Sequence, residues 1–359
     1  MHISLVVIFT IDTNLYFGGK KMKKILLVLA VLLFGLLAVG CGGDEEASKV
    51  EVRVALALTG AINDGGWSQG AYEALLMTEK DYDAEIAYNE NTQAAQYLQV
   101  IRNYAKDGYN VIIANGAQFT DAVNEVAKEY PDARFLITSS DRNSNFGNGS
   151  NVAGVLADGV EQGFLQGVTA GLMAKSLGIN KVAAVAGAEI PAFKTIIEGY
   201  VLGAKYIMPN IEVVTAFTGT NDDVNKLKEQ ALTFLDQGAG IVMSYANQAS
   251  RGGYEAALQK GKLAIGASAS PELFAAYEKA LSASASAKLT VAIADVVGKI
   301  ADDTFEGTNY IYGIKEGVVT FVFNDKEPEV QKVKADIEKI IADIKADKIN
   351  VTDLYEKSK

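Results

Sequence analysis

The chain has 359 residues, of which 49% are hydrophobic and 21% are charged, with one Cys and one His. This length can bury a large core and indicates two domains, and the composition is that of a globular protein rather than a disordered chain. The net charge of −11 argues against a general nucleic-acid-binding protein, which needs a basic surface. A single Cys excludes an internal disulfide and a zinc site built from cysteines. Because His2 is the only histidine, catalysis and metal binding by histidine are excluded from residue 22 onward.

Residues 22–40 have the pattern of a lipoprotein signal peptide. A short basic segment, residues 22–24, precedes an apolar run of 15 residues, 25–39. As a helix this run is about 22 Å long, too short for the roughly 30 Å hydrocarbon core of a bilayer. The small residues before Cys41 are similar to a bacterial lipobox, so we expect Cys41 to be lipidated and to begin the mature protein. A signal anchor with an incidental cysteine is the alternative.

The segments on either side of the signal peptide have separate explanations. Residues 41–49 are acidic and rich in glycine, which predicts a flexible tether. Residues 1–21 fit no part of a signal peptide, and a purine-rich ribosome-binding sequence could encode residues 18–21. We therefore expect residues 1–21 to be an upstream extension that is not translated. No further apolar run has membrane length, so we expect the mature protein outside the cytoplasm, attached to the cell membrane through its lipid.

Short apolar runs recur along the chain and alternate with amphipathic helical patterns. Near-continuous apolar runs are typical of strands buried on both faces, and hence of parallel sheets. The alternation predicts an α/β fold with doubly wound parallel sheets, and the number of units favours two lobes over one sheet. The predicted strands are 50–58, 111–114, 135–138, 182–186, 211–216, 241–244 and 263–265, with an edge strand or late hairpin at 318–323. The predicted helices are 69–82, 97–105, 120–130, 163–177, 224–235 and 327–348.

Polar and aromatic residues collect where the predicted strands end. In open α/β sheets, ligands bind beyond the carboxyl ends of the strands. These side chains suit a small, polar, partly flat organic ligand held between two lobes. The same residue types also cap helices and form turns, which remains the alternative for each of them. The candidate ligand-binding residues are Asn63, Asp64, Trp67, Gln118, Asp141, Phe193, Asn247, Ser268 and Lys288.

Two of these candidates are distinguished by their positions in the chain. Trp67 is the only Trp and lies in a Gly-rich loop, where its ring could stack on a planar base or on a sugar face. Packing in the core is the alternative for this residue. Lys288 follows the alternating Ser-Ala run 282–287 and is either a solvated lysine or a contact for a ligand hydroxyl.

Sequence signals for an enzyme are weak. No phosphate-binding loop and no dinucleotide-binding fingerprint follows the first predicted strand. The paired acids 222–223 and 302–303 are better explained as helix caps or surface residues than as a catalytic dyad. We therefore expect a binding protein without a cofactor or a metal ion, and not an enzyme.

Four segments of the chain resemble the basic membrane protein (BMP) family, which comprises purine-nucleoside-receptor-like substrate-binding lipoproteins of ABC importers. Residues 63–69 resemble the family's N/D-D-x-S-F-N-Q loop, and residues 161–168 resemble its E-G-S-F-L-A-G-V segment. Residues 189–206 are similar to D-I-P…A-G-F…G-x-K-Y, and residues 236–239 are similar to D-x-G-A. The order and spacing of these segments carry the resemblance over most of the chain.

The resemblance implies a type I periplasmic-binding-protein fold, in which three crossovers join two lobes that close on a nucleoside. It implies an N-terminal lobe of residues 50–156 plus 283–308 and a C-terminal lobe of residues 157–282 plus 309–359. The crossovers would form a hinge of three strands.

The resemblance also assigns roles to individual residues. Trp67 takes the place of the family's stacking Phe, Asp141 matches an Asp that follows a strand, and Lys288 matches a ribose-contacting Lys. Ser268 stands where the family has an Asp that contacts ribose, and a hydroxyl is a weaker acceptor than a carboxylate. A purine nucleoside, a free base, a modified nucleoside and another flat polar metabolite therefore all remain open as ligands.

The function expected from these features is that of a lipid-anchored, monomeric receptor. It would capture a small solute between its lobes and present it to an ABC permease, and it would not bind nucleic acid. A ligand-sensing receptor subunit has the same fold and remains an alternative. A carboxylate-based nucleoside hydrolase with calcium would need an Asp cluster at one strand end, whereas Asp64 and Asp141 follow separate strands.

Overall fold

The computed structural model describes residues 51–63, 67–147, 149–267 and 270–359. The predicted upstream extension, signal peptide and tether lie outside these ranges, as do Cys41, Asp64 and Ser268. The strands in the described part of the chain are β1 (Arg53–Leu58), β2 (Glu85–Asn89), β3 (Val111–Asn115), β4 (Arg134–Thr138), β5 (Val152–Ala157), β6 (Lys181–Ala186), β7 (Glu212–Phe217), β8 (Ile241–Tyr245), β9 (Leu263–Gly266), β10 (Leu281–Ala287), β11 (Asn309–Tyr312) and β12 (Val319–Phe323).

The helices alternate with these strands along most of the chain. The α-helices are α1 (Trp67–Tyr82), α2 (Tyr97–Lys106), α3 (Thr120–Glu129), α4 (Gly159–Leu177), α5 (Pro191–Ile207), α6 (Val224–Asp236), α7 (Ser250–Lys260), α8 (Pro271–Ala276), α9 (Leu289–Ala301), α10 (Pro328–Lys345) and α11 (Val351–Ser358). Their first residues follow from local chemistry. The Asp158 carboxylate caps α4 and the Asp223 carboxylate caps α6 by accepting main-chain N–H groups. Proline is the first residue of α5, α8 and α10. The first N–H groups of a helix have no acceptor within the helix, so the N–H that proline lacks costs no hydrogen bond there.

The strands form two six-stranded sheets. The first has the order β11-β5-β4-β3-β1-β2, and all its neighbouring strands are parallel. The second has the order β12-β10-β9-β8-β6-β7, in which only β12 is antiparallel to its neighbour. Apolar side chains from both faces of each sheet pack against the helices. We call each sheet with its helices the first or the second lobe, and the edge where its parallel strands end its carboxyl edge.

The prediction of two doubly wound parallel-sheet lobes is confirmed, and residues 318–323 supply the predicted edge strand as β12. Four strands were not predicted: β2, β5, β10 and β11. The sequence of β10 is LSASASA, and alternating Ser and Ala carry neither the bulk nor the β-branching that marks a strand. β2 and β11 lie at sheet edges and are largely exposed or half-buried, so they lack a continuous apolar run.

The chain crosses between the lobes three times. It leaves β5 for α4 through Asp158, leaves β10 for α9 through Lys288, and leaves β11 for β12 through residues 313–318. The second sheet therefore contains β10 and the first contains β11, so the crossing points lie after residues 287 and 312. They come a few residues later than the predicted boundaries at 283 and 309.

Glycines bring α4 and α5 into backbone contact in the second lobe. A Cβ added at Gly167 would lie 2.0 Å from the Tyr200 main-chain oxygen, and one at Gly203 would lie 2.1 Å from that of Phe164. Gly163 is equally tight against the facing helix, and Gly199 is nearly so. Several of the residues that carry the sequence resemblance thus serve packing, since only glycine lets the two helix backbones approach so closely.

We expect Gly203→Ala to lower the free energy of unfolding by about 2–3 kcal/mol, because the new methyl group meets the backbone of α4 rather than a movable side chain. The matched control is Gly70→Ala in α1, where an added Cβ meets no atom within 4 Å. There alanine should raise the free energy of unfolding by about 0.5–1 kcal/mol through helix propensity. Urea denaturation of both variants measures the difference, and equal effects of the two substitutions would contradict the close helix contact.

Candidate functional site

The carboxyl edge of the first lobe carries a linked set of polar loops. The Gln118 amide follows β3 and donates through Nε2 to Thr59 Oγ1, which follows β1, at 3.3 Å. The main-chain N–H of Ile62 donates to Glu90 Oε2 at 2.9 Å and so fixes the loop after β1 against the end of β2. Asn63 in the same loop is exposed. The structure therefore brings Asn63 and Gln118 to one edge, as expected for loops that follow parallel strands.

Trp67 is the first residue of α1 and is half-buried. Its ring packs against the apolar cluster formed by the sheet, α1 and α9, which includes Leu289 and against which Ile62 also packs. The indole is thus neither free in solvent nor enclosed in the core. Such packing fixes the orientation of a ring while leaving part of it accessible.

The G-x-S-x-G spacing of hydrolase nucleophile elbows occurs once in the sequence, at residues 66–70. Its serine, Ser68, lies in the first turn of α1 and is only 2% exposed. The chain has no histidine besides His2 that could activate this hydroxyl. In this chain, residues 67–70 of the G-x-S-x-G segment form the first turn of α1, and Ser68 is not a candidate nucleophile.

Asp141 follows β4 and is exposed. One of its carboxylate oxygens, Oδ1, accepts the main-chain N–H of Asn143 at 2.9 Å, which closes a tight turn. The turn gives the Asp141 carboxylate a structural role. The second carboxylate oxygen takes no part in that bond, so the residue can serve the turn and a ligand together.

An aromatic pair lies at the carboxyl edge of the second lobe. Phe193, in the first turn of α5, packs edge-to-face against Tyr245 at the end of β8, with ring centroids 5.1 Å apart. The Tyr245 hydroxyl lies 3.5 Å from Gln162 Oε1, and Gln162 Nε2 donates to the main-chain oxygen of Ala285 at 3.0 Å. Burial raises the pKa of Tyr245 to about 12, so its hydroxyl is a donor at neutral pH. Tyr245 was not among the predicted site residues, although it directly follows a buried strand.

The remaining described candidates are exposed. Asn247 follows β8, and its main-chain oxygen accepts the N–H of Ser250 at 3.3 Å. Lys288 lies at the second crossover, immediately before α9, and its main-chain N–H donates to the Val318 oxygen at 2.8 Å. The candidates therefore divide between the two carboxyl edges, with Lys288 on the connection between the lobes.

Two further polar residues at these edges were not predicted as site residues. Asn115 ends β3 and is fully buried; its Oδ1 accepts from Thr138 Oγ1 at 2.8 Å, and its Nδ2 has no partner among the described residues. Asn221 joins three loops of the second lobe, because its Oδ1 accepts the N–H of Ala188 at 2.9 Å and its main-chain oxygen accepts that of Ala249 at 3.0 Å. Each of these residues follows a predicted strand, and this position in the sequence is the signal that could have identified it as a site residue.

A carboxylate lies within the hinge. Glu161, in the first turn of α4, accepts the N–H of Ile314 through Oε2 at 2.7 Å and thereby connects the first and third crossovers. Burial, together with the negative charges of Asp158 and Glu316, raises the pKa of Glu161 to about 7, against the opposing effect of the Ile314 hydrogen bond. The carboxyl is therefore partly protonated at neutral pH.

We expect the free energy of unfolding of the wild-type protein to fall relative to that of Glu161→Gln as the pH rises from 4.5 through about 7. A carboxyl whose pKa is raised on folding binds its proton more tightly in the folded state, so its favourable contribution is complete at low pH and is lost as it ionises. The change should be on the order of 2 kcal/mol. Chemical denaturation across this pH range measures it, with Glu229→Gln, which removes an exposed carboxyl of α6, as the control. Parallel stability profiles for wild type and Glu161→Gln would contradict a raised pKa.

The described residues contain no group of three or more His, Cys, Asp or Glu side chains arranged to hold a metal ion. In the same part of the chain, no helix combines the length and the hydrophobicity required to cross a membrane.

Comparison with known proteins matches most of the chain. A sequence model of the family described as "Bmp: ABC transporter substrate-binding protein PnrA-like" matches residues 51–352. An uncharacterized lipoprotein of Pyrococcus abyssi is 29% identical over 318 residues, covering 84% of this chain and 77% of that protein. Basic membrane protein A of Borreliella burgdorferi is 26% identical over 308 residues, covering 85% of this chain and 88% of that protein.

The structure of an ABC transporter system solute-binding protein from Conexibacter woesei is similar to this one, with a TM-score of 0.63 at 23% sequence identity, covering 83% of this chain and 98% of that one. The predicted type I periplasmic-binding-protein fold is thus confirmed.

Proposed function

Because the chain belongs to the Bmp family of PnrA-like ABC transporter substrate-binding proteins, we propose that it is a lipid-anchored receptor that captures a purine nucleoside or a related flat metabolite. A substrate-binding protein of this class delivers a small molecule to an ABC permease. The observation that carries the proposal is the distribution of aromatic and amide side chains on both carboxyl edges, beside the crossovers that join the lobes.

Ligand capture is proposed to proceed by closure of the two lobes. A solute that contacts both carboxyl edges binds the closed arrangement better than the open one and therefore shifts the hinge equilibrium toward closure. The permease then distinguishes the loaded receptor by its closed shape. Asn63 and Gln118 would contribute from the first lobe and Asn247 from the second, while Lys288 at the second crossover would reach a ligand hydroxyl.

Flat apolar surfaces at the site support the proposed class of ligand. The half-buried Trp67 ring on the first lobe and the Phe193–Tyr245 pair on the second are suited to the faces of a planar base. Asp64 and Asp141 are proposed as acceptors for ring or exocyclic N–H groups. Ser268 would offer a neutral hydroxyl to the sugar, which favours ligands that do not depend on a charged contact with a ribose diol.

We expect Trp67→Ala to raise the dissociation constant for the bound solute about 5- to 150-fold, since stacking on an aromatic ring contributes about 1–3 kcal/mol per base. Native mass spectrometry of the purified protein identifies a co-purified solute. Isothermal titration calorimetry with adenosine, guanosine, inosine and their free bases then gives the affinities.

The matched control for this experiment is Phe305→Ala. Phe305 is also half-buried against the same apolar cluster as Trp67, but it lies near the opposite end of the sheet, shortly before β11 begins. Its removal should reduce stability and leave the affinity within twofold of wild type. An affinity that Trp67→Ala leaves within twofold would rule out the stacking role, and the absence of binding to all six compounds would rule out the purine class.

Attachment through Cys41 is the membrane part of the proposal. It is supported by the basic and apolar run before Cys41 and by relatives that are named lipoproteins. Intact-mass measurement of protein extracted from membranes should give a chain that begins at a lipid-modified Cys41. A membrane-extracted chain that retains residues 22–40 would contradict lipidation at this position.

A further inference from the structure

The loop that presents Asp141 is held by a single side chain from another strand. Asn309 is the first residue of β11, and its amide group points into the loop of residues 139–144, which we call the Asp141 loop. Its Nδ2 donates to three main-chain oxygens of this loop and its Oδ1 accepts from the hydroxyl of a fourth residue. The partners are the oxygens of Asp141 at 3.2 Å, Arg142 at 3.1 Å and Ser144 at 2.9 Å, and Ser140 Oγ at 3.0 Å.

The neighbouring strand leaves room for this contact. Gly154 lies in β5, between β4 and β11. A Cβ at Gly154 would lie 2.0 Å from Asn309 Oδ1 and 2.2 Å from Ser140 Oγ, so any other residue would displace the pair. Ser140 is itself only 4% exposed. The Asn309–Ser140 hydrogen bond is therefore partly buried beside β5 and depends on glycine at position 154.

The same loop also contacts the hinge and the second lobe. Arg142 Nη1 lies 3.6 Å from Asp158 Oδ1 in the first crossover, and these side chains are only 14% and 8% exposed. The Arg142 guanidinium also lies over the ring of Tyr355 in α11, 5.5 Å from its centroid. Asn309, for its part, lies on the strand that leads directly into the third crossover. One short loop thus joins a candidate ligand contact to two of the three crossovers.

We infer that Asn309 is a positioning residue for ligand capture, which holds the Asp141 loop on the strand that enters the third crossover. This inference rests on the proposed function, because it takes Asp141 as a ligand contact. Without the Asn309 amide, the main-chain oxygens of Asp141, Arg142 and Ser144 each lose the hydrogen bond from Asn309, and the Asp141 turn loses its attachment to β11. The carboxylate then samples several orientations, and its movement is no longer coupled to that of the hinge.

The matched control is an asparagine with the same type of contact at the other end of the same sheet. Asn151, immediately before β5, also donates through Nδ2 to three main-chain oxygens, those of Ala127 at 3.1 Å, Tyr130 at 3.0 Å and Ala133 at 3.0 Å. Asn151→Ala and Asn309→Ala therefore each remove three hydrogen bonds to main-chain oxygens of the first lobe, and Asn309→Ala also removes the one from Ser140 Oγ. Asn309→Asp is a second test, because it keeps the shape of the side chain but turns an oxygen toward the loop oxygens.

Hydrogen–deuterium exchange of the full-length chain measures the loop directly. The reporters are the N–H groups of Asn143 and Ser144, which bond to Asp141 Oδ1 and to its main-chain oxygen, each at 2.9 Å. Exchange at these two positions should accelerate at least tenfold in Asn309→Ala and Asn309→Asp and stay at the wild-type rate in Asn151→Ala. Wild-type exchange in the Asn309 variants, or equal acceleration in Asn151→Ala, would overturn the inference.

Calorimetry then separates this inference from the proposed function. With the purine nucleoside that the wild-type protein binds, Asn309→Ala should raise the dissociation constant at least tenfold and Asn151→Ala less than twofold. An unchanged affinity in Asn309→Ala would overturn the positioning role. If the wild-type protein binds no purine nucleoside, the proposed function fails, while the exchange rates still decide whether Asn309 holds the loop.

Discussion

The three crossovers determine where the two carboxyl edges lie. Each crossover leaves a parallel strand at its carboxyl end, from β5, β10 and β11. In two of them a single residue, Asp158 or Lys288, separates the strand from the following helix, and one residue spans less than about 4 Å. The carboxyl ends of β5, β10 and β11 are therefore held at the connection between the lobes.

The crossovers between the lobes contain buried or partly buried charged side chains. The Arg142–Asp158 ion pair is mostly buried, and the Glu161 carboxyl lies against the third crossover. Buried charges are held at a desolvation cost that hydrogen bonds must offset, and such groups respond when the hinge moves and water enters. The closely packed α4–α5 pair behaves differently, because glycine contacts leave no space for adjustment. The second lobe should therefore move as a rigid unit, with bending confined to the crossovers.

The sequence predicted the lobes, seven of the parallel strands and the edge at which polar residues collect, because each depends on local apolar runs and on the residues that follow them. It could not predict β10, whose Ser-Ala alternation is stabilised by tertiary contacts such as the Gln162 amide on the Ala285 oxygen. Asn309 was missed for a similar reason. Its partners lie more than 160 residues earlier in the chain, and nothing near residue 309 indicates a ligand loop. Trp67 was expected in a loop, whereas the structure makes it the first residue of α1, and its ring packs against a cluster that includes side chains of α9.

Closure of the lobes about the crossovers is tested most directly by a distance measured between them. Spin labels at Lys128→Cys in α3 and Lys226→Cys in α6, with Cys41→Ser, report on exposed positions of the first and second lobes. Double electron–electron resonance should show a broad distribution without ligand that narrows and shifts when the tightest-binding solute is added. A distribution that stays unchanged while calorimetry shows saturation would contradict a receptor whose lobes close on their ligand.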